Sequence, residues 1–269
     1  MELPAVTLRR LWPEPADGID AAGAISGLKL GDLAPPARPY LVLNMVASAD
    51  GKATIEGRTG SLGNEADRVV FHHLRTQVDA VLVGAGTVRV ERYGRMIKDP
   101  ALREKRVREG LEPEPLALVV SARLDLSTDI PLLADPGSRV VILTSSDAEL
   151  PGCDARVEYM RPPPEALAPE TDPGGAPRFR VGPLLERLRA ERGVRSVLCE
   201  GGPTLNSMLL DEGVVDELFL CLAPLLAGGT GVPTIVEGQA LPRPAVMEIV
   251  WVHESESHLL LRYRLNSSS

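Results

Sequence analysis

A chain of 269 residues, 44% hydrophobic and 25% charged, has enough material for a core that closes without staples, as one large domain or two small ones. A net charge of −8 and only 3% aromatic residues weigh against nucleic acid as a partner and against base-stacking platforms, although a local basic pocket can still hold one anionic small molecule. The three cysteines, Cys153, Cys199 and Cys221, are widely spaced with no Cys-x-x-Cys, which fits a reducing cytosol and neither a disulfide framework nor a zinc site.

The first residues lack a basic-then-apolar signal pattern and no apolar run reaches spanning length, so a soluble cytoplasmic protein is expected, without a membrane partner. Residues 1–37 are rich in Pro, Gly, Ala and Asp and read as an extended arm that packs Leu8, Leu11 and Trp12 on the body. Residues 40–46 are almost continuously apolar, as in a central strand covered on both faces. A Gly-, Ser- and Thr-rich loop follows over 47–61, and Asn64 then caps a helix running to Thr76, with Val70, Phe71 and Leu74 on its apolar stripe. Residues 79–84 form the next strand, leading through Ala85-Gly86-Thr87 into a short helix. Residues 100–109 read as an exposed helix stopped by Gly110 and Pro113.

Strands are expected at 116–120 and 139–144, and the Pro-rich stretch 161–177 reads as a surface loop or insertion. A helix over 181–192 and a strand over 195–199 come next, then Glu200-Gly201-Gly202-Pro203 and a helix to Glu212. Residues 217–222, 245–253 and 258–265 are strands, the last two joined by Glu-Ser-Glu-Ser as an antiparallel hairpin at a sheet edge. Alternating strands and helices with strands clustered at the end describe an α/β fold, a mixed, mostly parallel sheet finished by an antiparallel hairpin. Ligands in such sheets bind outside the carboxyl ends of the strands, so the turns at 50–52, 84–87 and 201–204 should open on one crevice.

Each turn carries chemistry. Gly201 and Gly202 let backbone approach a ligand, Pro203 suits the first helical position, and the free N–H groups at 202–204 suit a phosphate. Glu200 points a carboxylate at whatever lies beside that phosphate. Gly84, Gly86 and Thr87 make a backbone nest with a hydroxyl. As a dinucleotide fingerprint the stretch fails, for it lacks the third glycine and the downstream acid. Asp50, Gly51 and Lys52 place a carboxylate and an ammonium at the end of the central strand, where the ordinary alternative is a solvated turn. Ser121 and Arg123 after the strand 116–120 can clamp a phosphate monoester, although a solvated arginine is the commoner outcome. Zinc-deaminase, P-loop and nucleophile-elbow motifs are missing. His72 and His73 face different directions, so no shared metal is expected.

With residues 38–52, 61–93 and 197–229 in view, the chain resembles the reductase domain of the riboflavin-biosynthesis deaminase–reductase family and its stand-alone pyrimidine reductases. The resemblance implies a dihydrofolate-reductase-like three-layer αβα fold over residues 38–266 with residues 1–37 as an arm, and a homodimer. It implies NADPH as hydride donor and 5-amino-6-(5-phosphoribosylamino)uracil as acceptor, reduced at the ribose anomeric carbon to the ribitylamino product. By position, Ser61, Thr87, Glu91, Ser121 and the run Gly202–Met208, which includes Pro203, Thr204 and Leu205, fall where the family holds the dinucleotide, and the turns read above add Gly84, Gly86, Arg123 and Gly201. Thr59, Arg75, Arg95, Lys98 and Glu200 fall where it holds the substrate. Arg75, with Arg95 or Lys98, would neutralise the 5′-phosphate, and Glu200 would bond the pyrimidine. Lys52 and Asp50 fall in the loop beside the reacting carbon, Lys52 as proton donor or orienting cation and Asp50 as its partner. Glu91 stands where an aspartate is common. A pterin reductase of the same fold is the nearest alternative, because Asp67 and Phe71 lie one turn apart on the helix 64–76. A catalytically silent nucleotide-binding protein is the other.

Overall fold

The computed structural model describes residues 6–171, 175 and 177–266. The chain begins with β1 (Thr7–Trp12), β2 (Ala16–Asp20) and a short helix α1 (Ala21–Ile25), whose first turn is capped by the Asp20 carboxylate accepting from the Gly23 N–H. Next come the nine-residue strand β3 (Tyr40–Ser48) and α2 (Glu65–Leu74), where the Asn64 side chain accepts from the Asp67 N–H at 3.0 Å. β4 (Ala80–Gly84), α3 (Ala85–Val90), α4 (Pro100–Arg108), β5 (Leu116–Val120), α5 (Pro131–Ala134), β6 (Arg139–Leu143) and β7 (Arg156–Met160) complete the first half. The rest is β8 (Leu167–Thr171), β9 (Pro177–Phe179), α6 (Gly182–Arg192), β10 (Ser196–Cys199), α7 (Pro203–Asp211), β11 (Glu217–Ala223), β12 (Met247–Ser255) and β13 (His258–Leu265).

One eleven-stranded sheet runs β2-β1-β12-β13-β11-β3-β10-β4-β5-β6-β7. Its pairings from β11 to β7 are parallel and those of β13, β12, β1 and β2 antiparallel. Side-chain alternation divides each central strand between two cores. Val42, Val81, Val83 and Val119 meet Val70 and Leu74 of α2 on one face, while Leu41, Leu43, Leu82 and Leu118 meet Leu184, Leu188 and Leu209 of α6 and α7 on the other. Both faces are covered, which explains why β3 reads as a continuous apolar run. Each fully buried leucine here stabilises the fold by about 1.5–3 kcal/mol.

Four expectations change. The β12–β13 hairpin is internal, because β1 pairs along β12 and β2 along β1. Only Leu8 of the arm's apolar cluster is buried; Leu11 and Trp12 are exposed, since β1 alternates and its register shifts between Arg10 and Trp12. The stretch 161–177 holds a short 3-10 turn and the two-stranded sheet β8–β9, although 172–174 and 176 lie outside the described residues. Finally, α4 is not wholly exposed. Its Arg106 is fully buried, donating through Nη1 to the carbonyls of Arg75 and Val78 and through Nε to that of Glu112, all at 2.7 Å.

Joining the arm to the sheet buries His253 of β12, stacked on Trp251 at 4.4 Å. Its Nδ1 lacks a hydrogen-bond partner among the described residues. Burial, and then the Arg10 guanidinium, push the imidazole down to about 4. The folded state therefore holds His253 neutral where an unfolded chain would protonate it, so its contribution is complete above about 6.5 and is lost as pH falls towards 4. His253→Phe is expected to flatten the decline in melting temperature between pH 7 and pH 4.5. An equal decline in both proteins would show that His253 does not set acid sensitivity.

Candidate active site

Strands β10 and β4 are parallel neighbours, so the turns that leave their carboxyl ends meet. The Gly84 N–H donates to the Gly201 carbonyl at 2.8 Å, and a Cβ on Gly202 would lie 2.9 Å from Thr87 Oγ1. Gly201 has φ +85°, in the region that favours glycine, and the peptide joining it to Gly202 is cis. From Gly202 the chain enters α7 with Pro203 at its start. The first bond of the helical ladder is Asn206 N–H to the Gly202 carbonyl, which leaves the N–H groups of Thr204 and Leu205 for an outside acceptor.

These turns border a cleft of about 2020 Å³, larger than the 300–1,000 Å³ of about one drug-sized ligand and therefore roomy enough for two. Gly84, Gly86 and Thr87 line it with Gly202, Pro203, Thr204 and Leu205. Glu91, Ser121 and Arg123 line it as well, whereas Ser61 and Gly201 do not. At the other end Thr59, Arg75, Arg95, Lys98 and Glu200 all face the same space.

The floor of that end is a buried ion pair. Arg75 donates from Nε and Nη2 to the two oxygens of Glu200, both at 2.7 Å, and from Nη1 to the Met96 carbonyl. The Tyr93 hydroxyl donates to Glu200 Oε2 at 2.7 Å, and the guanidinium lies 4.3 Å over the Phe71 ring. Burial works against the charge on Arg75, but the Glu200 carboxylate more than restores it and holds the group protonated. Burial first, and then the Glu200 charge, push the Tyr93 phenol well above its ordinary value, so it stays a donor. Arg75 is thus committed to Glu200 and is not the free phosphate cation expected of it. Arg95 is likewise engaged, 2.6 Å from Glu114, while Lys98 is exposed along the cleft. Tyr93 and Arg106 carried no motif of their own; only folding shows one touching Glu200 and the other holding the Arg75 carbonyl.

The turn at 50–52 departs from expectation, since neither Asp50 nor Lys52 lines the cleft. Asp50 accepts from Ser48 Oγ and from the N–H groups of Ala227 and Gly228, which pull its carboxyl down to about 2. It is a clasp for the chain leaving β11 and makes no ion pair with Lys52. Lys52 stands behind the rim formed by Ala53, Thr54 and Pro233, with Nζ 3.4 Å from the Val232 carbonyl. Glu91 accepts from the Thr59 N–H and hydroxyl at 3.2 and 3.1 Å, tying the 53–63 loop to α3. Among the described residues no group of three or more His, Cys, Asp or Glu side chains is placed to hold a metal ion, and no helix is long and apolar enough to cross a membrane.

A family model described as the RibD C-terminal domain matches residues 39–260. The 2,5-diamino-6-ribosylamino-4(3H)-pyrimidinone 5′-phosphate reductase of Archaeoglobus fulgidus is 32% identical over 212 residues, covering 78% of this chain and 92% of that protein. Its namesake from Methanothermobacter thermautotrophicus is 30% identical, covering 77% and 88%. Among solved structures, a pyrimidine reductase-like protein from Corynebacterium diphtheriae superposes with a TM-score of 0.72 at 19% identity, over 92% of this chain and 99% of that one, a likeness of fold.

The ion pair makes a stability prediction. Arg75→Met strands a buried carboxylate and is expected to cost about 3–5 kcal/mol in urea denaturation. The double variant Arg75→Met/Glu200→Leu should recover much of that loss. A double variant as unstable as the sum of its parts would show that the two side chains are not coupled.

Proposed function

The chain belongs to the RibD C-terminal domain family, pyrimidine reductases of riboflavin biosynthesis, and on that premise we propose that it reduces the sugar of a phosphoribosylamino-pyrimidine with NADPH. The observation that carries the reading is one cleft holding a braced carboxylate at one end and an open helix start beside two glycine turns in its middle. A carboxylate offers about four acceptor positions. Arg75 and Tyr93 take three on Glu200, leaving one for an N–H of a pyrimidine. The two relatives named above match over most of their own length and are named for the 2,5-diamino pyrimidinone, which favours that substrate over the deaminated uracil.

In this reading Thr87 and the N–H groups of Thr204 and Leu205 hold the coenzyme's pyrophosphate, and Gly86 and Gly202 give it room. The open space beside Gly86 supports this reading, since nothing stands within 4 Å of a Cβ built on that exposed glycine. Ser121 and Arg123 receive the 2′-phosphate. Lys98, with Arg95 beside it, receives the ribose 5′-phosphate, and Thr59 and Glu91 brace the loop over the bound pair. When bound, the coenzyme would supply one hydride for the anomeric carbon of the ring-opened imine, whose nitrogen would need one proton. Lys52 gives that proton after its side chain leaves the Val232 carbonyl. A pterin reductase remains the second reading, because Asp67 and Phe71 both line the cleft and burial raises the Asp67 carboxyl. Against it, Phe71 already packs on Arg75.

A homodimer belongs to the proposal. The registers put Leu220, Leu222, Leu259, Tyr263, Ile249, Val252 and Trp12 on one face of β11, β13, β12 and β1. Ile249 is 48% and Trp12 53% exposed there, an apolar face that a second copy would cover.

Loss of NADPH absorbance is expected with the diamino substrate, more slowly with its deaminated form, and not with dihydrofolate. No turnover on either pyrimidine would sink the proposal. Lys52→Met should lower kcat by about 10²–10⁴-fold, and an unchanged kcat would remove Lys52 from the chemistry. Light scattering should give twice the chain mass, falling to one chain mass in Trp12→Lys/Ile249→Lys. A monomeric wild-type protein would refute the dimer.

A further inference from the structure

Of the run that opens α7, Gly202, Pro203, Thr204, Leu205 and Met208 line the cleft, but Asn206 does not. Its side chain is fully buried, and both polar atoms of its amide are engaged. Nδ2 donates to the Ile235 carbonyl at 2.8 Å and to Met45 Sδ at 3.2 Å, while Oδ1 accepts from the Cys199 thiol at 3.6 Å. Burial pushes that thiol up to about 12, so it keeps its proton and donates, whereas the Ile235 carbonyl can only accept. The two partners together fix which way the amide points. Losing the Ile235 bond would leave a buried amide with only a thioether, a weak acceptor, to donate to.

Ile235 belongs to the segment 232–239, which forms no helix or strand of its own and so depends on a few individual bonds for its place. On one side it lies across the start of α7. The Glu237 N–H donates to the Pro203 carbonyl at 3.2 Å, and a Cβ on Gly238, whose φ is +155°, would lie 2.7 Å from Ser207 Oγ. On the other side it holds the loop after β3. The Ala53 N–H donates to the Pro233 carbonyl at 2.8 Å, Lys52 and Thr234 pair as an antiparallel bridge, and Lys52 Nζ lies 3.4 Å from the Val232 carbonyl. One strap of chain thus joins the helix whose open N–H groups are assigned to the coenzyme and the loop that carries Lys52.

We infer that Asn206 is a positioning residue for the proton transfer: by pinning the 232–239 strap across α7, it sets the Lys52 loop in register with the coenzyme's seat. This rests on the Lys52 reading above. The carbon that is reduced and the nitrogen that is protonated are one bond apart, so the two donors must share one rigid frame. A displacement of about 1 Å between them costs about 10²-fold in rate. Asn206 touches neither substrate nor coenzyme and acts only through the strap.

The test is a double-mutant cycle on the full chain, with Asn206→Leu made in the wild-type and in the Lys52→Met backgrounds and kcat and KM measured for NADPH and the diamino substrate. In wild type, Asn206→Leu should lower kcat by about ten- to hundredfold and leave KM for NADPH unchanged. In Lys52→Met the same substitution should change kcat no further, because its route to the reaction is already cut. Gly238→Ala, at an exposed position, pushes the strap off Ser207 without opening the core; it should show the same pattern and carries the test if Asn206→Leu does not fold. A kcat that falls by the same factor in both backgrounds makes the effect one of general structure and overturns the inference. So does a kcat that neither substitution lowers. Full kcat in Lys52→Met alone overturns the Lys52 reading and this inference with it, whereas a slow Lys52→Met beside an unaffected Asn206→Leu overturns only the positioning role.

Discussion

A carboxylate taken out of water at the end of a central strand must be met by an opposite charge, and around Glu200 much of the site is arranged to meet that need. Arg75 answers from the end of α2, Tyr93 and the Met96 carbonyl from the segment after α3, and Phe71 closes over the guanidinium. Beneath them Arg106 of α4 grips the carbonyls of Arg75 and Val78. The result is a relay of cations and oxygens that joins α4, α2 and β10, segments distant along the chain. A floor built this way is held from several sides at once, and Glu200 lines the cleft from it. In the proposed function, a carboxylate held this firmly is what would discriminate among heterocycles.

The middle of the cleft follows from sheet topology. Because β10 lies between β3 and β4, the glycine turns after β4 and β10 are neighbours although more than a hundred residues separate them. Their close contact leaves no room for a side chain at Gly202, where a Cβ would lie 2.9 Å from Thr87 Oγ1. A ligand laid across these turns extends towards Glu200 on one side and towards Ser121 and the β8–β9 hairpin on the other. The volume of the cleft, about 2020 Å³, leaves room for the coenzyme and the substrate of the proposed reaction.

The antiparallel end of the sheet manages a different constraint. An exposed β12 would present unpaired backbone, and β1 and β2 cover it. The cost of that arrangement is a buried neutral histidine and an apolar outer face bearing Trp12 and Ile249.

Much of this was legible in order along the chain. The unbroken apolar run of β3, the Asn64 cap of α2 and the Pro203 start of α7 are statements about neighbours a few residues apart, and local sequence records them faithfully. Partner choice is not local. The sequence contains 29 lysines and arginines and 37 acids, and nothing in their spacing says that Arg75 belongs to Glu200, that Asp50 belongs to the backbone of Ala227 and Gly228, or that Arg106 is buried. Alternation likewise marks β12 and β13 as a hairpin but cannot say whether an arm will cover its edge. Those outcomes were decided by tertiary structure, because a buried charge or a bare strand edge is satisfied by whatever group the folded chain brings within about 3 Å, whatever its distance in sequence.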